Sequence, residues 1–407
     1  MSLAKIGVVV PRGGALEAIA AERVLPPFSP EALAFVGALS QDILKSPEFR
    51  AHPEAMSFAY WARTARLKQL QASFSALEHS GALAARGVAF HIAPSNVDTI
   101  FLYSLVISLL VGNVNIIRVS SRENVLMGAL IGILGRLLDQ PAHAALRARL
   151  AIVRYEHDAA ISKALSDLCD LRIVWGGDAT VNALRAIPLQ PRAIDVCFAD
   201  KVSLAVLDAA AYCAYEDKAG LARAFRNDSY WFGQMACSSP RAVIWRGSKA
   251  DGEAASAEFW ARLQAELVRE APELSAMDYL NKLLAEQSFM AQLGGHKAGP
   301  RGDNATTVVD VATLGGIPFD EHCGGGLFLQ VIVDSLDALT PHLTRRNQTI
   351  ISHGIGKDEW RDYLSTTQPR GIDRIVPFGA ALDFNVVWDG YNLFRAFSRE
   401  ISLAVLD

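Results

Sequence analysis

Val88-Ala89-Phe90-His91-Ile92-Ala93-Pro94-Ser95-Asn96 is a short apolar run broken by a turn. Beyond the turn, an apolar stretch from Ile100 to Val111, interrupted by Ser104 and Ser108, reads as a buried helix, and Gly112 supplies its stop. Val114-Asn115-Ile116-Ile117-Arg118-Val119 is then a second strand. The alternation continues outward. A helix follows over about Arg122 to Leu138, a strand over Ala151 to Tyr155, a helix over Ala159 to Leu168, and a strand over Leu171 to Trp175. That strand ends in Gly176-Gly177-Asp178, which opens a helix to about Ala186; short strands follow at Asp195 to Phe198 and Ser203 to Leu207. Strands separated by helices predict βαβ units, hence an α/β fold with a parallel sheet covered on both faces. Such sheets bind ligands beyond the carboxyl ends of their strands. Three turns lie at that edge: Pro94-Ser95-Asn96, Ser120-Ser121 and Gly176-Gly177-Asp178. Each opens a helix, so each offers backbone N–H groups to an anion.

Residues 1–85 are mostly helical in pattern, with a helix start at Ser29-Pro30-Glu31 and a second helix from about Pro53 to Glu78. After Leu207 helices dominate: Ala209 to Phe225, Ala254 to Glu270 and Ser275 to Leu293. Strands at Thr306 to Asp310 and Gly326 to Val333 flank a Cys-Gly-Gly-Gly turn. A boundary is expected near residue 206. Residues 1–205 are then expected to form N-terminal helices and a first domain built on the parallel sheet, and 206–374 a second domain. Residues 375–407 are free to pack back on the first.

With 20% charged residues and a net charge of −4, the 407-residue chain has no global attraction to nucleic acid or an anionic membrane. The apolar run at 100–111 is too short to span a bilayer, and the N-terminus shows no signal-peptide pattern. The five cysteines, Cys169, Cys197, Cys213, Cys237 and Cys323, form no Cys-x-x-Cys pair, which argues against a zinc site or a disulfide framework. They suit a reducing cytoplasm. The histidines show no metal-type spacing, so no metal is expected.

Cys237 stands out because of its setting, Gly233-Gln234-Met235-Ala236-Cys237-Ser238-Ser239-Pro240. A packing cysteine sits in a periodic apolar run. This one sits at a turn among small and polar residues, which suits a nucleophile that forms a thioester. Asn96 offers a side-chain amide for an oxyanion, or equally a helix N-cap. Arg118 with Ser120 and Ser121 suits a ribose or a 2′-phosphate, or equally a solvated helix start. Gly176, Gly177 and Asp178 read as a phosphate-side turn or simply a tight one. Glu321, before His322-Cys323-Gly324-Gly325-Gly326, can accept ribose hydroxyls. No Gly-x-Gly-x-x-Gly follows a strand, so any dinucleotide is bound by another variant of the fold.

Together these residues resemble the aldehyde dehydrogenase superfamily. Pro94-Ser95-Asn96 resembles its Pro-Trp-Asn-Phe turn, and Arg118-Val119-Ser120-Ser121 its Lys-Pro-Ala/Ser segment. Gly233-Gln234 before Cys237 resembles its Gly-Gln-x-Cys nucleophile, with one extra residue here, and Glu321 with Gly324-Gly325 resembles Glu-x-Phe-Gly-Pro. Within the superfamily, Gln234-Met235-Ala236-Cys237-Ser238-Ser239-Pro240, Ile173-Val174-Trp175-Gly176-Gly177-Asp178 and Asp373-Arg374-Ile375-Val376-Pro377-Phe378-Gly379 are similar to the acyl-CoA reductase family. That family is typified by the fatty-acid reductase subunit of bacterial luminescence. The resemblance implies reduction of an acyl thioester, from acyl-CoA or an acyl-protein, to an aldehyde. It further implies NADPH, with NADH fitting the same site, a homo-oligomer, and an acyl-activating partner protein. One departure matters. Where aldehyde dehydrogenases carry the hydrolytic glutamate of Glu-Leu-Gly-Gly-Lys, this chain has Cys197-Phe198-Ala199-Asp200-Lys201. Cys197 in that place disfavours hydrolysis of an acyl-enzyme. The rival readings are an aldehyde-oxidising dehydrogenase and a non-catalytic partner subunit.

Overall fold

The computed structural model describes residues 6–404 except 79–80, 95–96, 123, 157, 271, 273, 299–303, 314 and 316–318. It divides into two units, Met1–Ala199 with Phe384–Asp407, and Asp200–Asp383.

The first unit carries β1 (Val8–Val10), β2 (Gly81–Ala85), β3 (Val88–Ile92), β4 (Val114–Val119), β5 (Leu150–Arg154), β6 (Leu171–Trp175) and β7 (Ile194–Phe198). Its main sheet has the order β1-β5-β4-β3-β6-β7, parallel from β3 to β7, with β1 antiparallel at one edge. The central strands are near-continuous apolar runs because helices cover both faces. The helix Ile100–Leu110 is buried along its whole length, which explains why its sequence lacks a polar side. Among the described residues, no single helix is long and apolar enough to cross a membrane. The helix expected over 53–78 is two, Pro53–Trp61 and Thr64–Ser75. Arg63 turns extended between them, and its Nε bonds the Tyr60 carbonyl at 3.1 Å, closing the first helix. The chain end returns here: Ser398–Ser402 pairs antiparallel with β2, and Asn113 Nδ2 bonds the Phe397 carbonyl at 2.9 Å.

The second unit contains β8 (Val202–Asp208), β9 (Pro240–Arg246), β10 (His296–Ala298), β11 (Thr307–Asp310), β12 (Leu327–Val333), β13 (Asn347–His353) and β14 (Arg374–Pro377), in the order β10-β11-β12-β9-β8-β13-β14. Only β10 is antiparallel. The sequence reading grouped the strand at 203–207 with the first sheet. That strand instead pairs with β9 and β13 at the centre of the second. The two strands are consecutive and similarly apolar, and the short Ala199–Lys201 link between them carries no boundary signal. The helix expected over 209–225 is also two, Ala209–Ala214 and Lys218–Tyr230, because Asp217 starts a new one by accepting the Gly220 N–H at 2.8 Å.

Candidate active site

In the second unit the helix Lys218–Tyr230 delivers the chain to a kinked turn before β9. Phe232, Gly233 and Gln234 all adopt positive φ, at 57°, 58° and 66°. For Phe and Gln this backbone is strained and must be held by its surroundings. Gln234 is fully buried, and its side chain supplies that hold. Its Nε2 donates to the carbonyls of Pro240 and Leu327, each at 2.9 Å, and its Oε1 accepts the Gly326 N–H at 2.8 Å. The Gly325 N–H bonds the Gly233 carbonyl at 2.9 Å. The structure thus brings the Gly-Gln segment and the Gly324-Gly325-Gly326 turn together, although the two are far apart in sequence. Gly326 is required as glycine: its φ is +80°, and a Cβ there would stand 2.1 Å from the Ala305 carbonyl oxygen.

Cys237, half-buried, follows this turn. Its carbonyl accepts from Ser203 Oγ on β8 at 2.7 Å, and its sulfur accepts from Gln348 Nε2 on β13 at 3.4 Å. Ser203 Oγ in turn accepts the Thr349 N–H at 3.1 Å. Arg241, on β9, bonds the Phe319 carbonyl at 3.2 Å. Burial lowers its pKa, while the Cys237 thiol opposes that shift electrostatically. Arg346 pairs with Asp320 through both carboxylate oxygens at 2.5 and 3.0 Å. His322 is buried, and its pKa is driven down to about 3 by burial and by the Arg241 charge, so it is neutral at pH 7. Glu321 lies on an exposed turn, with Oε2 accepting from Ser288 Oγ and Gln292 Nε2, both at 3.0 Å.

Gln348, Arg241, Arg346 and Ser203 escaped the sequence reading. Gln348 is 111 residues from Cys237 in the chain, and the pairing of β9 with β8 and of β8 with β13 brings them together. The Asp373–Gly379 string finds its structural reason here. Asp373 pairs with Lys201 at 2.9 Å, and the Gly379 and Ala381 N–H groups bond the buried Asp228 carboxylate at 2.6 and 3.0 Å. Asp228 sits on the helix before the thiol turn, and its carbonyl holds Ser239 Oγ at 2.8 Å.

At the carboxyl edge of the first sheet, a cleft of about 340 Å³ is lined by Ile92, Arg118, Tyr155, Ser162, Thr180 and Ala183, among others. The Arg118 guanidinium lies 5.6 Å from the Tyr155 ring centroid and donates to the Tyr155 carbonyl at 3.3 Å. A planar cation, an aromatic ring, two hydroxyls and an apolar wall suit a flat heteroaromatic base with its sugar, and the carboxylates of Glu156 and Asp158 also line the cleft. Ser120 and Ser121 stand outside this lining; Ser120 Oγ accepts the Arg122 N–H at 3.2 Å and turns the chain after β4. Gly176 donates to the Phe198 carbonyl at 3.1 Å and Gly177 caps the helix Asp178–Arg185, so the cleft wall is built one turn later, from Ala179, Thr180 and Ala183. Pro94 follows β3, while Ser95 and Asn96 lie outside the described residues. Cys197 is buried at the end of β7, and burial pushes its thiol pKa up, with Asp195 adding to the effect. Among the described residues no cluster of His, Cys, Asp and Glu is arranged to hold a metal ion.

An oxidoreductase from Marinobacter aquaeolei superposes with a TM-score of 0.65 at 13% identity, covering 95% of this chain and 88% of that one. Aldehyde dehydrogenase 21 from Physcomitrella patens superposes with a TM-score of 0.64 at 13% identity, covering 95% and 87%. The fold is therefore that of aldehyde dehydrogenases. A long-chain acyl-protein thioester reductase of Photorhabdus laumondii subsp. laumondii is 24% identical over 306 residues, 74% of this chain and 60% of that protein. One from Aliivibrio fischeri is 26% identical over 165 residues, 40% of this chain and 32% of that protein. The matches thus span from about a third to three-fifths of these relatives' length. The family model described as acyl-CoA reductase (LuxC) matches residues 71–289, more than half of the chain and including the Cys237 turn. The chain belongs to the acyl-CoA reductase (LuxC) family.

Proposed function

We propose that this protein reduces an acyl thioester to an aldehyde through an acyl group held on Cys237. The observation that carries the reading is a cysteine on a strained turn, anchored through its carbonyl by Ser203 and hydrogen-bonded at its sulfur by Gln348. The Cys237 thiolate attacks the thioester carbonyl, the bond from the acyl carbon to the donor sulfur breaks, and the donor leaves as a thiol with the proton Cys237 gave up. Asn96 and a backbone N–H are the proposed donors to the developing oxyanion. The first unit's cleft fits the adenosine end of a nicotinamide dinucleotide, with Arg118 favouring NADPH through a 2′-phosphate; NADH fits with fewer charge contacts. Pro94, Ser95, Ser120, Ser121 and the Gly176-Gly177-Asp178 turn are proposed to flank it, and Glu321 to accept ribose hydroxyls. When bound, the dinucleotide supplies the hydride that takes the acyl group to the aldehyde level. Release of the aldehyde breaks the carbon–sulfur bond and restores the Cys237 thiolate.

Cys197, placed where a hydrolytic glutamate stands in aldehyde dehydrogenases, is a buried thiol with a raised pKa and supplies no base at neutral pH. That favours reduction over hydrolysis of the acyl-enzyme. Acyl-CoA and acyl-protein are the donor classes proposed, with an acyl-activating protein as partner, a reducing cytoplasm as the setting, and self-association. The test is NADPH oxidation against acyl-CoAs of increasing length with product analysis. Aldehyde formed with loss of NADPH supports the reading. Acid formed from aldehyde with NAD(P)⁺, and no reduction of any acyl-CoA, would replace it with an aldehyde oxidiser.

A further inference from the structure

We propose that Gln348 is a catalytic residue, whose side-chain amide stabilises the Cys237 sulfur as a thiolate. Nε2 reaches Sγ at 3.4 Å, an ordinary N–H···S distance, and Gln348 is only 1% exposed, so water competes little for that bond. Its Oε1 accepts from Thr349 Oγ1 at 3.2 Å, with the NH₂ end toward the sulfur. The backbone is pinned on both sides: the Gln348 carbonyl accepts the Asp373 N–H at 2.7 Å, and the Thr349 N–H bonds Ser203 Oγ at 3.1 Å. Ser203 Oγ then holds the Cys237 carbonyl at 2.7 Å. Nucleophile and amide therefore share one frame spanning β8 and β13, with no flexible loop between them. An amide can neither take nor give a proton at neutral pH. Its effect on sulfur is electrostatic and favours the anion. The same bond serves twice in a turnover, first for the attacking thiolate and then for the thiolate released with the aldehyde.

This inference rests on Cys237 being the reactive thiol. The experiment uses the whole protein without any acyl donor, so failure to reduce acyl-CoA would leave it standing. Alkylation of Cys237 by iodoacetamide is followed from pH 5 to 10 by peptide mapping, with the exposed Cys213 as internal reference. In Gln348→Leu the midpoint of the Cys237 profile should rise by about one pH unit, and the rate at pH 7 should fall about tenfold. Cys213 should keep its rate. In Gln348→Glu, similar in size and polarity, a carboxylate faces the sulfur and the midpoint should rise further. Should the leucine variant fail to fold, the glutamate variant carries the test. A folded variant whose Cys237 midpoint matches the wild type would overturn the proposal.

Discussion

Arg118, Tyr155 and Thr180 line an open cleft at the edge of the first sheet, placed there by β4, by the end of β5 and by the helix Asp178–Arg185. Cys237, in the second unit, owes its position to side chains from elsewhere: Gln234 from the turn before it, Ser203 from β8 and Gln348 from β13. Side chains in the cleft can be changed one at a time with local consequences. The thiol site is a set of buried polar groups that satisfy one another, and such sets are costly when only partly satisfied. A recognition surface tolerates loose side chains. The nucleophile proposed at Cys237 needs a fixed attack geometry and does not.

The difference can be broken most directly at Gln234. Gln234→Leu removes three hydrogen bonds from a fully buried site, so urea unfolding should show a loss of about 3 kcal/mol. In the first unit, Asn124→Ala removes the cap on the Met127 N–H and a side-chain hydrogen bond to Asp98, and should cost about 1 kcal/mol. Equal losses would erase the contrast.

Acid should strain both units through buried histidines held neutral, His91 in the first and His322 in the second. The His91 pKa is lowered from 6.5 to about 4, by burial against an opposing hydrogen bond from Asn115. His322 is lowered to about 3, by burial and the Arg241 charge. Both folded values lie below the unfolded one. The stability tied to keeping them neutral is therefore present above pH 6.5 and is lost as pH falls toward the folded values. Between pH 7.5 and 5 each should cost about 2 kcal/mol in urea melts, and His91→Gln should remove its share of the slope. An unchanged slope in that variant would show His91 already protonated in the fold.

A smaller effect than those of Gln234 and the histidines is expected at the cleft. Arg118→Leu should weaken NADPH binding about tenfold and leave NADH binding nearly unchanged, as measured by fluorescence titration. Equal weakening of both would move Arg118 from the 2′-phosphate to the adenine ring.

The same contrast explains what was legible in the sequence. The strand–turn–helix order from Val88 to Phe198 is local, so the parallel strands β3 to β7 and the place of Arg118 at their carboxyl edge follow from hydrophobic patterning, whereas the antiparallel edge strand β1 lies in a stretch that reads as helical. Cys237 was visible because its polar turn breaks the apolar pattern around it. Gln348 was not. Asn347-Gln348-Thr349 opens a strand whose polar residues look like an ordinary solvated start, and their burial comes from neighbours across the sheet. The position of β8 was hidden for the same reason: an apolar strand does not announce which of two sheets will take it. Gln234 was read as part of a nucleophile motif, but its bonds to Pro240, Leu327 and Gly326 give it a mechanical role that no local pattern encodes.

The most direct test is to incubate the protein with a long-chain acyl-CoA in the absence of NADPH and map the adduct by mass spectrometry. A single acyl group on Cys237, discharged as aldehyde when NADPH is added and absent from a folded Cys237→Ala variant, is the expected result. Continued aldehyde formation by that variant, or an adduct carried on another cysteine, would contradict it.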